Sequence, residues 1–323
     1  MSTYKKEVGT AVQNFAGDYT GAVEGQLWYN STAGSFQFRS VSATGSWATG
    51  GTMNTARYAS GGAGTQTSAL VFGGSTGSDL ANTESYDGTS WTEVNDLNSG
   101  RQSLGGLGAN NTSALAVSGA DTGGANNLAN VESWNGTSWT EITDVNSARR
   151  ILFATGIQTA ALAFGGFTTA PTGLTESWNG TSWTEVNDLN NSRYGLAGAG
   201  SQTSTLAFGG NISPKAYTES WNGTSWTEVN DLNTGRQGLG GAGTDNTSAL
   251  GFGGTTPPLR ANTEEWNGSS WTEVADLSLA RFQIAEAGTA AAALAFGGEP
   301  PTTGSTEEWT GAGAPVTETI TTS

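Results

Sequence analysis

Hydrophobic residues along this chain occur in short runs rather than at helical spacing. Runs of small and apolar residues, such as Ala69 to Phe72, end at a pair of glycines, and segments that alternate polar and aromatic residues follow them. Gly, Asn, Ser, Thr and Asp, which favour turns, separate these segments. Short runs with period two between turn residues predict β-strands of about five residues. The pattern therefore predicts an all-β fold with almost no helix.

The same pattern returns six times. A phrase similar to Glu-Ser-Trp-Asn-Gly-Thr-Ser-Trp-Thr-Glu-Val recurs every 43 to 48 residues, and each copy contains an arginine. The second tryptophans of the phrase are Trp91, Trp139, Trp183, Trp226 and Trp271. The recurring arginines are Arg57, Arg101, Arg149, Arg193, Arg236 and Arg281. About 45 residues with four short strands is the length of one blade of a β-propeller.

The turn between the two aromatic residues of a copy leaves two registers open. Asn135-Gly136 lies between Trp134 and Trp139, and both turn residues tolerate positive φ. A two-residue loop pairs Trp134 with Thr137, whereas a four-residue loop pairs Trp134 with Trp139. Either register places both tryptophans on one face of the sheet. We expect such aromatic pairs to form the main core between neighbouring sheets.

The sixth copy stops after its third strand, which ends at Trp309. Ser46 to Thr49 precede Arg57 as a fourth strand precedes the arginine elsewhere. We therefore expect residues 46–49 to complete the last sheet, with Trp47 beside Trp309, and to close a ring. The predicted domains are an N-terminal attachment and hairpin segment over 1–45, a six-bladed β-propeller over 46–311 and a Thr-rich C-terminal tail over 312–323.

Charged residues follow the repeat as well. A glutamate stands two residues before the first aromatic residue of each copy, at Glu84, Glu132, Glu176, Glu219, Glu264 and Glu307. We expect these carboxylates to pair with the recurring arginines, Arg193 among them, because a half-buried guanidinium is costly unless it is paired. A second acidic series, Glu93 and Asp96 with their counterparts, predicts a solvated ring. A calcium site is the alternative, although no known calcium-loop spacing is present.

Composition excludes several classes of chemistry. The 323 residues include no Cys and no His, which excludes disulfides, thiolate zinc sites, cysteine nucleophiles and histidine bases. A net charge of −16 argues against nucleic-acid binding, which relies on Lys and Arg. No apolar stretch approaches the roughly 20 residues of a membrane span, and residues 1–20 lack the apolar run of a signal peptide. We expect no cofactor.

Each copy also presents its markers in a fixed order. An apolar-Phe-Gly-Gly run precedes a Glu-x-aromatic segment, a tryptophan about five residues later and an arginine about ten residues after that. This order resembles the kelch motif of β-propellers and extends over about residues 46–311. Tyr86-Asp87 and Val117-Ser118-Gly119 depart from it in the first two copies. The resemblance implies a six-bladed kelch-like propeller, but the copper oxidases of that family need His ligands and a Cys-linked Tyr, which this chain lacks.

Residues 1–45 lie outside the repeat. Gly25 to Arg39 predict a hairpin around an Asn-Ser-Thr-Ala-Gly turn. This hairpin resembles the Leu-Trp-Tyr-Asn hairpins of tail-fibre and other virion proteins of bacteriophages. The resemblance implies a structural protein on the surface of a phage particle, oligomeric there and in contact with other virion proteins. The candidate attachment residues are Leu27, Trp28, Tyr29, Phe36 and Phe38.

The copies differ most between their second and third strands. These connections cover 75–82, 120–130, 167–174, 211–217, 255–262 and 299–305, and in a propeller they lie on one face. Loops on a rigid scaffold commonly carry binding specificity, although unselected drift is the alternative explanation. The candidate partner-binding residues are Phe167, Pro171, Lys215, Tyr217, Pro257, Leu259, Arg260 and Pro300.

These observations predict a non-enzymatic virion module that presents its variable face to a host-surface glycan or to another protein. A first alternative is a decoration or fibre protein without a host ligand. A second is a surface glycan hydrolase of the sialidase type. Ser85 to Trp91 superficially resembles a sialidase Asp-box, but its Asp-to-Trp distance is one residue short. Most of the acidic residues follow the repeat, whereas a catalytic carboxylate pair should break it.

Overall fold

The structure, a computed structural model, describes residues 12–17, 19, 22, 26–41, 44–213, 215–313 and 315–320. These residues form an all-β fold of seven four-stranded sheets with one short 3₁₀ turn, Thr122–Gly124. Among them, no helix is long and apolar enough to cross a membrane. The chain divides into two compact units, one of residues 46–310 and one that combines residues 1–45 with residues 311–323.

The strands follow the repeat closely, and we number the copies from Arg57 onward. The chain begins with β1 (Gln13–Phe15), β2 (Leu27–Asn30), β3 (Ser35–Val41) and β4 (Ser46–Thr49). Copy 1 contains β5 (Gly61–Thr65), β6 (Ser68–Phe72), β7 (Thr83–Tyr86) and β8 (Trp91–Val94). Copy 2 contains β9 (Gly105–Asn110), β10 (Ser113–Asp121), β11 (Asn126–Trp134) and β12 (Trp139–Ile142). Copy 3 contains β13 (Phe153–Ile157), β14 (Ala160–Phe164), β15 (Thr175–Trp178) and β16 (Trp183–Val186).

The remaining copies repeat this order. Copy 4 contains β17 (Ala197–Ser201), β18 (Ser204–Phe208), β19 (Thr218–Trp221) and β20 (Trp226–Val229). Copy 5 contains β21 (Gly240–Asp245), β22 (Ser248–Phe252), β23 (Thr263–Trp266) and β24 (Trp271–Val274). Copy 6 contains β25 (Ala285–Gly288), β26 (Ala292–Phe296) and β27 (Thr306–Thr310), and the chain continues to β28 (Pro315–Thr319). The strands of each copy lie in one antiparallel sheet, so the predicted all-β fold of repeated four-stranded units is confirmed.

The first strand of each copy starts later than the sequence pattern indicates. In copy 5, the segment expected to form it begins at Gln237, directly after Arg236, whereas the strand begins at Gly240. The intervening residues turn around the inner end of the sheet. The second residue after each recurring arginine has a left-handed backbone, with φ of 54° at Ile151 and 63° at Gly195.

These left-handed residues join the six copies in a circle of backbone hydrogen bonds. In each of them, the N–H donates to the carbonyl of its counterpart in the preceding copy, over 2.7 to 3.1 Å. The six residues are Ala59, Ser103, Ile151, Gly195, Gly238 and Gln283, and the N–H of Ala59 returns to the carbonyl of Gln283. The first strands also contact one another in chain order, and β25 contacts β5. This closed arrangement is compatible with a β-propeller.

The sheet of copy 6 takes its fourth strand from the other end of the unit. Strand β4 pairs antiparallel with β27, and Trp47 stands opposite Trp309. The two indole rings are 5.3 Å apart, and Trp47 also contacts Phe252 of copy 5 at 5.0 Å. The prediction that residues 46–49 complete the last sheet is therefore confirmed.

The seventh sheet contains segments that the sequence treats separately. The predicted hairpin, β2 with β3, is present, and β1 lies parallel to β2 while β28 lies antiparallel to β3. The sequence pattern assigns residues 312–323 to a tail, whereas in the structure Pro315–Thr319 pairs with Ser35–Val41. The structure therefore contains a seventh four-stranded sheet in addition to the six expected ones, and residues from both ends of the chain form it.

Aromatic pairs form much of the core of residues 46–310. Trp134 pairs directly with Trp139, so the four-residue loop is the register adopted. The Asn135 Oδ1 atom accepts hydrogen bonds from the N–H groups of Thr137 and Ser138, which closes that loop. The second tryptophan then reaches the preceding copy, as Trp139 does with Phe72 at 4.8 Å. The aromatic pairs therefore pack within and between sheets.

Candidate functional site

The six recurring arginines lie inside the protein. Each forms an ion pair with the glutamate of its own copy, with N–O distances of 2.5 to 3.3 Å, as the joint recurrence predicts. Arg193 pairs with Glu219, and Glu176 pairs with Arg149. Burial lowers the pKa of the Arg193 guanidinium, and the charge of Glu219 opposes that shift. Since both partners are buried, these charges compensate each other inside the framework and do not face solvent.

The second acidic series, Glu93 and Asp96 with their counterparts, accepts hydrogen bonds from residues at the start of the third strands. In copy 1, Asp96 accepts a hydrogen bond from the N–H of Thr83, and Glu93 accepts one from the Asn82 side chain. Asp188, Asp231 and Asp276 accept equivalent bonds in later copies. Among the described residues, no group of three or more acidic side chains is placed to hold a metal ion. The geometry thus accounts for these carboxylates as caps at the start of the third strands.

The connections between second and third strands pair with the segment that follows each recurring arginine. Isolated bridges join Tyr58 to Ser75, Gln102 to Ala120, Arg150 to Phe167, Gln237 to Thr255 and Phe282 to Glu299. In copy 4, the N–H of Asn211 donates instead to the carbonyl of Tyr194. We call the six connections, together with the residue after each recurring arginine, the variable surface. The residue after the arginine is of four different types in the six copies, so this surface combines two variable segments.

An aromatic and cationic cluster spans copies 2 to 4 of the variable surface. The Arg150 guanidinium lies 4.8 Å from the centre of the Phe167 ring and donates to the Asn127 Oδ1 atom over 2.7 Å. The Phe167 ring meets the Tyr194 ring edge-on at 5.4 Å. Asn127 also donates from its side-chain amide to the carbonyl of Thr168 over 2.8 Å. The four side chains form a continuous patch in which a cation, two aromatic rings and an amide are held together; we call it the Arg150 cluster.

The structure brings only some of the candidate partner residues to this cluster. Phe167 belongs to it, and Pro171 pairs with Phe167 in an isolated bridge. Lys215 and Tyr217 lie in the next connection and are half-buried. In the described residues, no hydrogen bond or ring contact joins Pro257, Leu259, Arg260 or Pro300 to Phe167. These four lie in copies 5 and 6, with both prolines exposed.

Arg150 and Tyr194 were not among the residues predicted from sequence. Both directly follow a recurring arginine, at a position held by Tyr58, Gln102, Gln237 and Phe282 in the other copies. The variation of residue type at this position is the sequence feature that could have indicated Arg150 and Tyr194 as candidates. It falls outside the second-to-third connections, so a comparison of those connections alone does not find it.

The hairpin of the N-terminal sheet has two unlike faces. Register pairs Leu27 with Phe38 and Tyr29 with Phe36, so these four side chains share one face. Leu27 is 39% exposed and Phe36 is 46% exposed. The alternate residue Trp28 points to the opposite face and is fully buried, with Tyr19 against its ring. Four of the five candidate attachment residues therefore stand together, and Trp28 does not join them.

Exposed apolar side chains next to the ends of the flanking strands adjoin this face. Val12, next to β1, is 42% exposed, and Ile320, whose N–H donates to the carbonyl of Phe36, is 45% exposed. In the described part of residues 46–310, Ile157 is the one large hydrophobic residue with comparable exposure, at 47%. We call Val12, Leu27, Tyr29, Phe36, Phe38 and Ile320 the apolar face of the N-terminal sheet.

Comparison with known proteins assigns no family. No protein-family model matches the chain. No curated protein matches it significantly.

Proposed function

We propose that the chain is a six-bladed, kelch-like β-propeller that serves as a non-enzymatic binding and assembly module on the surface of a bacteriophage particle. Three observations support the propeller assignment. The chain contains six copies of one four-stranded unit, a circle of backbone hydrogen bonds joins them, and β4 completes the last sheet. The kelch-like order of residues in each copy and the virion-like hairpin of residues 27–38 support the family and the location.

The apolar face of the N-terminal sheet is the observation that carries the proposal. Contiguous apolar surface on a soluble domain is typical of an interaction site. Most of the large exposed hydrophobic residues in the described chain belong to this one face, while Ile157 is the one such residue in the described part of residues 46–310. In the proposed function, Leu27, Tyr29, Phe36 and Phe38 attach the protein to another virion protein, and Trp28 supports them from the buried side.

The variable surface is the proposed recognition surface. Aromatic rings stack on the apolar faces of sugars, and a guanidinium donates several hydrogen bonds to hydroxyl or carboxylate oxygens. The Arg150 cluster offers both within one patch. A host-surface glycan is therefore the ligand that this chemistry favours, and another virion protein is the second partner class.

Attachment is tested by particle incorporation. The double variant Leu27→Ser and Phe36→Ser removes apolar area from the exposed face, and we expect its amount in purified phage particles to fall sharply while its near-ultraviolet circular dichroism stays unchanged. Ile157→Ser is the matched control, because it removes an equally exposed apolar side chain outside the N-terminal sheet. Equal incorporation of the double variant and the control would contradict attachment through this face.

Recognition is tested separately on a glycan array. We expect Phe167→Ala and Arg150→Met to lose binding that the unaltered protein shows, and Thr181→Ala, exposed in a loop between third and fourth strands, to retain it. A sugar-release assay on the bound glycans distinguishes a binder from a hydrolase. Turnover that a single carboxylate substitution abolishes would replace the non-enzymatic proposal with the hydrolase alternative.

A further inference from the structure

The first strands of the six copies enclose a cavity along their common axis. Its volume is about 300 Å³, and all six copies line it, mostly with glycine, alanine and threonine residues. A smaller cavity of about 80 Å³ follows, lined in part by the residues of the hydrogen-bonded circle. Glu286 and Phe153 line both cavities. The larger volume is sufficient for a small organic molecule.

Glu286 breaks the repeat at a position that otherwise has almost no side chain. It pairs with Ala295 across its sheet, and its counterparts by register are Gly62, Gly106, Ala154, Gly198 and Gly241. A Cβ atom added at Gly62 or Gly106 would lie 2.3 Å from a backbone oxygen of the neighbouring first strand. Close packing around the axis therefore favours glycine here, and the glutamate in copy 6 is an exception that packing does not explain.

The Glu286 carboxylate has no partner among the described residues. No hydrogen bond or ion pair involves it there, and the other residues that line the two cavities are uncharged. The Glu286 side chain is half-buried, and its exposed part faces the cavity. Burial raises the pKa of this carboxyl well above its usual range. The recurring arginines cannot compensate it, because each is paired with its own glutamate. An unpaired buried carboxylate is costly, so a cation that entered the cavity would gain a favourable partner.

Two further polar atoms of residues that line the smaller cavity lack partners. The Gln283 Oε1 atom and the Ser60 Oγ atom are buried without a hydrogen bond, and both residues line the smaller cavity. A carboxylate and an amide oxygen act only as acceptors, and a hydroxyl can accept as well. A ligand that donates hydrogen bonds would therefore satisfy these groups.

We propose that the axial cavity beside Glu286 binds a small primary ammonium compound. Its charged nitrogen donates to the Glu286 carboxylate, and its remaining N–H groups serve the other unsatisfied acceptors. An ammonium group supplies one positive charge with three donors, which matches a single carboxylate. A divalent metal ion would require several oxygen ligands, and the lining residues offer one carboxylate. The uncharged and mostly small residues of the remaining wall accommodate a short alkyl group.

Methylammonium chloride is the probe for this site, with sodium chloride at equal concentration as the ionic-strength control. We expect methylammonium to raise the thermal unfolding midpoint in a saturable way, and Glu286→Gln to weaken binding about tenfold or more, because a hydrogen bond to a charged group is lost. Calorimetry in buffers of different ionisation enthalpy should show proton release on binding, because the ammonium favours the ionised carboxyl. Glu299→Gln is the control variant, since it removes a partly buried acid from the variable surface.

Near-ultraviolet circular dichroism of the tryptophans establishes that Glu286→Gln is folded. Glu286→Ala, which places in copy 6 the residue of copy 3, provides a second variant with the same expected loss of binding. The proposal is overturned by an unaltered protein that shows no saturable response, by a Glu286 variant that responds equally, or by sodium ions that produce the same shift as methylammonium.

Discussion

Each recurring arginine contributes a charge that the protein interior must compensate. At Arg149, the Glu176 carboxylate lies 2.7 Å from one guanidinium nitrogen, and the carbonyl of Ala163 accepts a further hydrogen bond. Asn146 donates to the same carboxylate from its backbone and its side chain. The ion pair thus fixes the segment before each first strand to the third strand of the same copy. Its role is to hold the loop in one conformation, because a buried pair is not in itself a strong source of net stability.

Arg149 and Arg150 allow a matched test at neighbouring positions. Arg149→Met leaves the buried Glu176 carboxylate unpaired, and we expect it to lower the free energy of unfolding by about 3–5 kcal/mol. Arg150→Met removes a half-exposed cation from the face of Phe167, and its cost should be about 1 kcal/mol or less. Urea unfolding followed by tryptophan fluorescence measures both. Similar midpoints for the two variants would show that the buried pair has no special structural role.

At the scale of elements, the hairpin between first and second strands joins neighbouring copies. A side-chain amide two residues before the second strand donates to the carbonyl of the first aromatic residue in the preceding copy. In copy 3, the Gln158 amide donates to the Trp134 carbonyl over 2.7 Å. Gln66, Asn111, Gln202 and Asn246 form the corresponding bonds. Copy 6 has Ala290 at this position, so its junction with copy 5 lacks the bond.

The missing bond can be introduced. Ala290→Gln places an amide where the other five copies have one, and we expect the free energy of unfolding to rise by about 0.5–1.5 kcal/mol, the usual net value of a hydrogen bond. The reverse change, Gln158→Ala, should lower it by about 1 kcal/mol. Thermal and urea unfolding of both variants give the comparison. A destabilised Ala290→Gln variant would indicate that the junction between copies 5 and 6 does not accept the longer side chain.

Sequence periodicity predicts these elements well where copies can be compared and poorly elsewhere. The six copies, their strand order and the pairing of Trp47 with Trp309 follow from recurrence. The Asn-Gly turn suits loops of two or four residues, so only the hydrogen bonds accepted by the Asn135 side chain decide the register. Strand β28 lies outside the repeat, so no other copy indicates it. Its partner β3 is at the opposite end of the sequence, and periodicity does not predict that pairing. Comparison of the copies shows that Arg150 and Glu286 differ from their counterparts. It does not show that Arg150 lies over the Phe167 ring or that Glu286 lines the axial cavity, because both placements depend on tertiary structure.

At the scale of the whole molecule, the unit of residues 46–310 is closed by its own two ends. Ser46 stands opposite Thr310 in the pairing of β4 with β27. The closure of the ring therefore depends on a contact between residues far apart in sequence, and forming that contact has an entropy cost.

A disulfide at this pair tests the closure. The chain contains no cysteine, so Ser46→Cys with Thr310→Cys introduces a single bond without competing thiols. We expect the oxidised double variant to be more stable than its reduced form by about 2–4 kcal/mol, because the bond restricts a long loop of the unfolded chain. Thermal unfolding with and without reductant measures the difference, and Ser46→Cys alone serves as the control. Equal midpoints after complete oxidation would show that separation of β4 from β27 does not limit unfolding.

The use of both chain ends in the seventh sheet has a consequence for resistance to proteolysis. The polypeptide passes between the two units twice, once from Val41 to Ser46 and once from Thr310 to Pro315. A protease that cuts either passage leaves the other intact, and the new terminus stays held by the pairing of β3 with β28 or of β4 with β27. Separation of residues 46–310 from the seventh sheet therefore takes two cleavages, so a single cut in either passage leaves the two units covalently connected.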